Sequence, residues 1–146
     1  MRDPLNAALS DFHRTKSGSD RHVSHADRKY FDARWRTFAL KYVSRWKWFF
    51  EVMMKRYPTQ NMCVIQYEKL TQNVLRELKP CLKFILEHEI SKERENCILK
   101  EQEGKYHRPA MKPNDLNYVM NLTFSEEELM NFKLIRENIL KRLNDE

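Results

Sequence analysis

The chain has 146 residues, of which 41% are hydrophobic and 33% charged, proportions that suit one globular domain or a piece of a larger one. Only two glycines, Gly18 and Gly104, are present, which excludes a Gly-rich phosphate loop. No apolar run approaches the roughly 18 residues of a membrane span, so neither a span nor a signal peptide is predicted. The net charge of +6 favours an anionic partner such as a nucleotide, a nucleic acid or a sulfated glycan.

The first ten residues predict a helix that starts beside a basic side chain. Asp3 is a favoured N-cap residue, and Pro4 suits the first helical position, where its missing N–H costs no hydrogen bond. Arg2 precedes this start, and Ser10 lies two turns into the helix. Because helix N-termini attract anions and arginine forms two-pronged contacts with phosphate, Arg2 and Ser10 are candidate phosphate ligands. The alternative is an ordinary capped helix with a surface arginine.

Polar, basic and turn-forming residues fill positions 14–27, which predicts a loop. His13, His22 and His25 lie in or beside this loop and are candidates for a zinc site or a general base. Their spacing does not resemble a metal motif, so a solvated loop with isolated histidines is the alternative.

Three cysteines, Cys63, Cys81 and Cys97, occur without a Cys-x-x-Cys pair, so a metal site is not predicted. Each lies in an apolar stretch and is expected to be a small core residue. One disulfide is possible in an oxidising compartment, but the sequence does not say which two cysteines would form it.

Residues 27–57 predict one long helix that ends before Pro58. Large side chains recur every three or four residues along one face: Phe31, Trp35, Phe38, Tyr42, Trp46, Phe49, Met53 and Tyr57. We expect this face to pack in the core. The alternative is a surface on which nucleic-acid bases stack between basic residues.

Residues 62–67 are apolar and rich in β-favouring types, which predicts a short buried strand. A helix over residues 73–87 follows, and Pro80 inside it is expected to kink or divide it. Gly104, Lys105 and Arg108 then predict a basic turn at residues 103–109. The last helix is predicted over residues 125–143, with Ser125 and Glu128 forming a capping box.

Three of these segments, in this order, resemble the PAPS-dependent sulfotransferases (PAPS is 3′-phosphoadenosine 5′-phosphosulfate). Arg-Asp-Pro from Arg2, followed by Ser10, resembles the segment that binds the 3′-phosphate in that family. Residues 64–70, Val-Ile-Gln-Tyr-Glu-Lys-Leu, followed by Leu-Lys-Phe-Ile at 82–85, resemble its strand, Tyr-Glu-Asp-Leu turn and helix, with Lys69 in place of the aspartate. Cys97, Gly104 and the basic pair after it most resemble the WSC-domain-containing group, whereas the Arg-Lys-Gly of the cytosolic members is missing.

This resemblance implies an α/β, P-loop-like sulfotransferase fold with a parallel sheet. Because the family's 5′-phosphosulfate loop has no counterpart here, the chain is expected to be a partial domain over residues 1–146, the C-terminal half truncated at its N-terminus. It is then expected to be mostly helical with one or two short strands, and inactive alone. A lumenal Golgi location follows from the same resemblance.

The family chemistry implies transfer of a sulfuryl group from PAPS to a hydroxyl or amine of an acceptor, such as a glycan or glycoconjugate. Arg2 and Ser10 would hold the 3′-phosphate, Tyr67 would lie beside the adenine, and Lys105 and Arg108 would close over the nucleotide. Neither a metal nor a nucleic acid is expected, and no catalytic residue is assigned. The alternatives are a non-catalytic, basic helical binding module for nucleic acid or an acidic protein, and an inactive sulfotransferase fragment that serves only for interaction.

Overall fold

The structure, a computed structural model, describes residues 1–17, 25–101, 119–121 and 123–144. Within these residues the labelled α-helices are α1 (Pro4–Lys16), α2 (Ala33–Arg56), α3 (Tyr67–Leu70), α4 (Val74–Leu86), α5 (Lys92–Lys100) and α6 (Glu126–Asn144). Two 3₁₀ turns, Arg28–Tyr30 and Thr59–Asn61, precede α2 and follow it. Residues 119–121 are also helical.

The predicted α/β, P-loop-like fold with one or two short strands is wrong for the described residues. Helices make up 77% of them, and none of them lies in a strand, including the predicted strand at residues 62–67. Residues 62–66 are not helical, but a strand exists only as part of a hydrogen-bonded ladder. Among the described residues, Met1 alone supplies bonds of this kind: its amino group donates to the Ile65 carbonyl, and the Tyr67 N–H donates to the Met1 carbonyl at 2.7 Å. One residue opposite another does not make a ladder, so the apolar run ends in α3 instead.

The core lies where α1 crosses α2 and where α6 covers both. Its buried side chains are Leu5, Ala8, Leu9, Phe12, Ala26, Trp35, Ala39, Val43, Val119, Phe124 and Phe132. Phe12 is central, because its ring lies 5.1 Å from the Trp35 ring and 5.3 Å from the rings of Phe31 and Phe38. Tilted aromatic contacts of this kind add stabilisation beyond the burial of apolar area.

The aromatic face of α2 is buried over only part of its length. Trp35 is fully buried, whereas Phe49 is 50% exposed and Tyr57 is 41% exposed. The core prediction therefore holds for the first half of the helix. Towards the C-terminal end, Phe49 and Tyr57 of the same stripe are exposed, and Trp46 and Met53 are half-buried.

The starts of α1 and α6 follow their local signals, whereas the helix predicted over residues 27–57 begins only at Ala33, after a separate 3₁₀ turn. The Asp3 carboxylate accepts a hydrogen bond from the Asn6 N–H at 2.9 Å, which confirms the predicted N-cap of α1. Ser125 and Glu128 bond reciprocally to each other's backbone N–H, which confirms the predicted capping box of α6. Pro80 does not divide α4, which runs through it without a break.

The cysteines form the one disulfide that the sequence left open, but only one of them is in the core. Cys63 and Cys81 form a disulfide with their Cα atoms 5.5 Å apart, which joins the segment before α3 to the middle of α4. Cys81 is buried as expected, but Cys63 and the free Cys97 are exposed rather than in the core.

Candidate functional site

The candidate site is formed where the segment before α1 meets the start of α3. Met1 is held by the backbone of Ile65 and Tyr67, as described above. The next anchor is the Asp3 N–H, which donates to Oε1 of Glu68 at 2.8 Å. These contacts fix the backbone on both sides of Arg2, although residues 65–68 are more than 60 positions away in the sequence.

Arg2 and Tyr67, two residues predicted to bind one nucleotide, lie in direct contact. The guanidinium carbon of Arg2 is 4.5 Å from the centroid of the Tyr67 ring. A guanidinium at this distance from an aromatic face is attracted by the ring electrons. Tyr67 remains accessible to solvent, since 42% of the residue is exposed. The arrangement therefore combines a fixed cation with an accessible flat ring.

The N-terminus of α1 is capped by a carboxylate, as the sequence predicts. Asp3 caps it, so a carboxylate already occupies the position where the partial positive charge of the helix is strongest. A phosphate near this point would therefore interact mainly with Arg2 rather than with the free N–H groups of the helix.

Glu68 connects the site to the last helix. Its Oε2 accepts a hydrogen bond from Nη2 of Arg136, on α6, at 3.0 Å. Burial would raise the pKa of Glu68, but hydrogen bonds from the N–H of Asp3 and from its own N–H, together with the charges of Arg136 and Arg2, hold the pKa below its ordinary value. Glu68 is therefore a carboxylate near neutral pH, with cations on two sides.

Tyr42, on α2, is near enough to the site for the charge of Arg2 to act on its hydroxyl. Burial raises the pKa of its hydroxyl, Asp11 raises it further, and the nearby charges of Arg2 and Arg14 oppose the shift. Tyr42 also lines an open groove of about 400 Å³ between α1 and α2. The groove combines cationic and aromatic side chains with one carboxylate: Asp11, Phe38, Lys41, Tyr42, Arg45, Trp46 and Phe49.

The structure says less about the other three predicted nucleotide ligands, Ser10, Lys105 and Arg108. Ser10 is on α1, six residues beyond Pro4 and so ~9 Å along the helix axis, and its side chain is partly exposed. Lys105 and Arg108 lie outside the described residues, as does the whole basic turn at 103–109. The structure therefore brings Arg2 and Tyr67 together and does not test the remaining three.

Of the histidines proposed for zinc or general-base chemistry, His13 has a structural contact instead. His13 is buried, and its Nδ1 accepts a hydrogen bond from the Ala26 N–H at 2.9 Å. Its ring meets the His25 ring edge-on at 4.9 Å, while His22 lies outside the described residues. His13 thus ties residue 26, near the end of the predicted loop, to α1. Among the residues that are described, no three metal-binding side chains are grouped to hold an ion.

Sequence reasoning missed three residues of the site, namely Glu68, Arg136 and Tyr42. Glu68 had a signal, because it follows Tyr67 directly and shares its turn. Tyr42 was assigned only to the core stripe of α2. Arg136 had none, because its contact spans 68 positions and basic residues are common on an exposed helix.

Comparison with known proteins bears on most of these residues, but not on Arg136, which lies beyond the matched range. The family model for the sulfotransferase domain matches residues 1–128, which cover most of the chain and include Arg2, Tyr67 and Glu68. No solved structure matches the chain. None of the helices in the described ranges is long and apolar enough to cross a membrane. On the strength of the family match, the chain belongs to the sulfotransferase domain family.

Proposed function

We propose that this member of the sulfotransferase domain family binds PAPS, so that its sulfuryl group passes to a hydroxyl or amine acceptor on a glycan or glycoconjugate. Sulfuryl transfer in general follows from the family. The proposal adds the donor, the class of acceptor and the residues: Arg2 and Ser10 at the 3′-phosphate, Tyr67 beside the adenine, and Lys105 and Arg108 over the nucleotide.

The contact between Arg2 and Tyr67 is the observation that carries this proposal. A nucleotide such as PAPS has an anionic phosphate close to a flat purine, so its site needs a cation next to an aromatic surface. Arg2 lies 4.5 Å from the Tyr67 ring centroid. The residues on either side of Arg2 form hydrogen bonds to residues 65–68, which hold the two segments together. Fixed groups bind more tightly than mobile ones, because less conformational freedom is lost on binding.

The proposed reaction is an in-line displacement at sulfur. The acceptor oxygen or nitrogen attacks the sulfur atom, and the bond from sulfur to the 5′-phosphate oxygen breaks. The acceptor proton goes to a base, and adenosine 3′,5′-bisphosphate leaves with the bonding electron pair. Positive charge around the bisphosphate stabilises this leaving group, by the same electrostatic logic as in phosphoryl transfer. We assign the base to no residue, so the first test measures binding rather than turnover.

We also propose a cellular location and a closer relationship within the family. The Cys63–Cys81 disulfide supports a lumenal Golgi location, since disulfides persist in oxidising compartments. The spacing of Cys97 and Gly104 supports a kinship with the WSC-domain-containing group.

A second candidate function is a non-catalytic binding module, and the groove between α1 and α2 favours it. Lys41 and Arg45 lie there beside Trp46 and Phe49, a combination that suits stacking of single-stranded bases. Binding to a nucleic acid would weaken steeply with added salt and would not discriminate between nucleotides with and without a 3′-phosphate.

The test is calorimetric titration with adenosine 3′,5′-bisphosphate. Arg2→Ala is expected to weaken binding by about ten- to a hundredfold, because charge-assisted hydrogen bonds to phosphate are lost. Arg142→Ala is the matched control, because it removes the same charge from an exposed position on α6. Equal affinity in wild type and Arg2→Ala would overturn the assignment of Arg2, and equal losses in the two variants would indicate only a general charge effect.

A further inference from the structure

A chain of two hydrogen bonds links helix α6 to the peptide that follows Arg2. Nη2 of Arg136 donates to Oε2 of Glu68 at 3.0 Å, and the Asp3 N–H donates to Oε1 of the same carboxylate at 2.8 Å. The side chains of Arg136 and Glu68 are only 25% and 33% exposed, so the pair is partly shielded from water. The two oxygens of the Glu68 carboxylate thus bond to two different parts of the chain, α6 and the peptide between Arg2 and Asp3.

This carboxylate also lies close to the proposed phosphate ligand. Among the charges that act on Glu68, those of Arg136 and Arg2 both favour its ionised form. Arg2 nevertheless lies over Tyr67, whereas the direct ion pair of Glu68 is with Arg136. The charge of Arg2 therefore acts on a carboxylate that is already paired with Arg136.

We propose that Arg136 is a positioning residue that keeps Glu68 from pairing with Arg2. By holding one oxygen of Glu68, Arg136 leaves the Arg2 guanidinium over the Tyr67 ring, where its charge is open to a phosphate. Without Arg136, the carboxylate turns to Arg2, draws it from Tyr67 and neutralises it. The inference rests on the proposed function for its effect on nucleotide binding. It concerns a residue beyond the 1–128 range of the family match.

The variant Arg136→Met tests the first half of this inference, because methionine keeps an apolar stem and removes the charge. We expect it to weaken binding of adenosine 3′,5′-bisphosphate by about tenfold, the scale of one charge-assisted contact. Arg142→Met is the control for the change in net charge and should bind as wild type. Wild-type affinity in Arg136→Met would overturn the inference.

Rescue by Glu68→Gln separates positioning from a merely structural role. Glutamine keeps an oxygen for the Asp3 N–H but has no charge with which to hold Arg2. The double variant Arg136→Met/Glu68→Gln is therefore expected to recover affinity to within about threefold of wild type. If Arg136 only stabilised the fold, the double variant would bind no better than Arg136→Met, and that result would overturn the inference. Glu68→Gln alone, which tests the same idea if Arg136→Met fails to fold, should bind at least as tightly as wild type; weaker binding would contradict it.

A ligand-free measurement distinguishes failure of this inference from failure of the proposed function. The free energy of unfolding in urea, measured for Arg2→Met, Glu68→Gln and their combination, gives the coupling between Arg2 and Glu68. We expect this coupling to be larger in the Arg136→Met background, or, if that background does not fold, in Arg136→Gln. If the coupling rises but wild type does not bind the bisphosphate, only the proposed function fails. If the coupling is unchanged, the positioning role is wrong, whatever the nucleotide does.

Discussion

Arg36 and Glu128 form a two-pronged ion pair that joins α2 to the start of α6. Nη2 of Arg36 donates to Oε1 of Glu128 at 2.6 Å, and its Nη1 donates to Oε2 at 3.1 Å and to the Thr123 carbonyl at 2.9 Å. The same carboxylate accepts the Ser125 N–H, so it serves both as a helix cap and as an interhelical contact.

This pair predicts a stability that depends on pH. Hydrogen bonds from Arg36, and then from the Ser125 N–H, lower the pKa of Glu128 from its ordinary value of 4.5 to about 2. Because the folded pKa is below the unfolded one, the contribution is present above about pH 4.5 and is lost as the pH falls towards 2. In urea titrations across this range, wild type should lose more of its free energy of unfolding than Glu128→Gln does. Glu137→Gln, an exposed change on the same helix, should behave as wild type, and parallel pH profiles for wild type and Glu128→Gln would contradict the prediction.

Reduction of the disulfide should destabilise the chain. Cys63 and Cys81 are 18 positions apart, and closing a loop of this size stabilises the folded state by roughly 3 kcal/mol in the chain-entropy description. Urea unfolding with and without reductant measures the difference. Cys97→Ser should keep the full effect of reductant, whereas Cys63→Ser/Cys81→Ser should abolish it; an effect of reductant that persists in the double variant would place the disulfide elsewhere.

Two tryptophans on α2 should respond differently to truncation. Trp35 is fully buried against Phe12 and Phe124, so Trp35→Ala is expected to cost about 3–5 kcal/mol in the free energy of unfolding. Trp48 is 64% exposed, and Trp48→Ala should change the free energy of unfolding by less than about 0.5 kcal/mol. Similar losses in the two variants would show that the outward-facing part of α2 is packed like the core.

The ring of Tyr67, rather than its hydroxyl, should matter for nucleotide binding. Tyr67→Phe keeps the surface beside Arg2 and is expected to bind adenosine 3′,5′-bisphosphate within about twofold of wild type, whereas Tyr67→Ala loses about tenfold, the scale of one stacking contact. Calorimetric titration measures both. Tyr57→Ala is a control of similar exposure at the end of α2. A loss in Tyr67→Phe as large as that in Tyr67→Ala would contradict stacking on the ring.

Local signals were sufficient for the starts of α1 and α6 and for part of the site, but not for the start of α2, which lies at Ala33 and not at residue 27. Asp3 and the Ser125–Glu128 box act within three residues of themselves, so their sequence context contains the whole interaction. Arg2 and Tyr67 were found only because both belong to a family pattern; their spacing alone would not have paired them.

The remaining errors concern contacts that depend on distant parts of the chain. The sequence predicts a strand at the apolar run of residues 62–67, but a strand needs a neighbouring ladder. Within the described residues, Met1 is the only partner from a distant part of the chain whose backbone bonds to this run. The burial of Phe49 on α2 was overestimated because periodicity shows which face is apolar and not whether another element covers it. Arg136 contacts Glu68 only because the fold brings the two together, and no local sequence pattern predicts that contact.

The most direct test of a 3′-phosphonucleotide site is thermal unfolding of the chain with three ligands: adenosine 3′,5′-bisphosphate, its 2′,5′ isomer and AMP. At about a hundred times its dissociation constant, a ligand that binds only the folded state stabilises it by roughly 2.7 kcal/mol. At equal concentrations we expect a clear rise in Tm with the 3′,5′ bisphosphate, much smaller rises with the isomer and AMP, and no difference among the three in Arg2→Ala. Equal shifts with all three ligands in wild type, or a cooperative transition that none of them moves, would contradict the account.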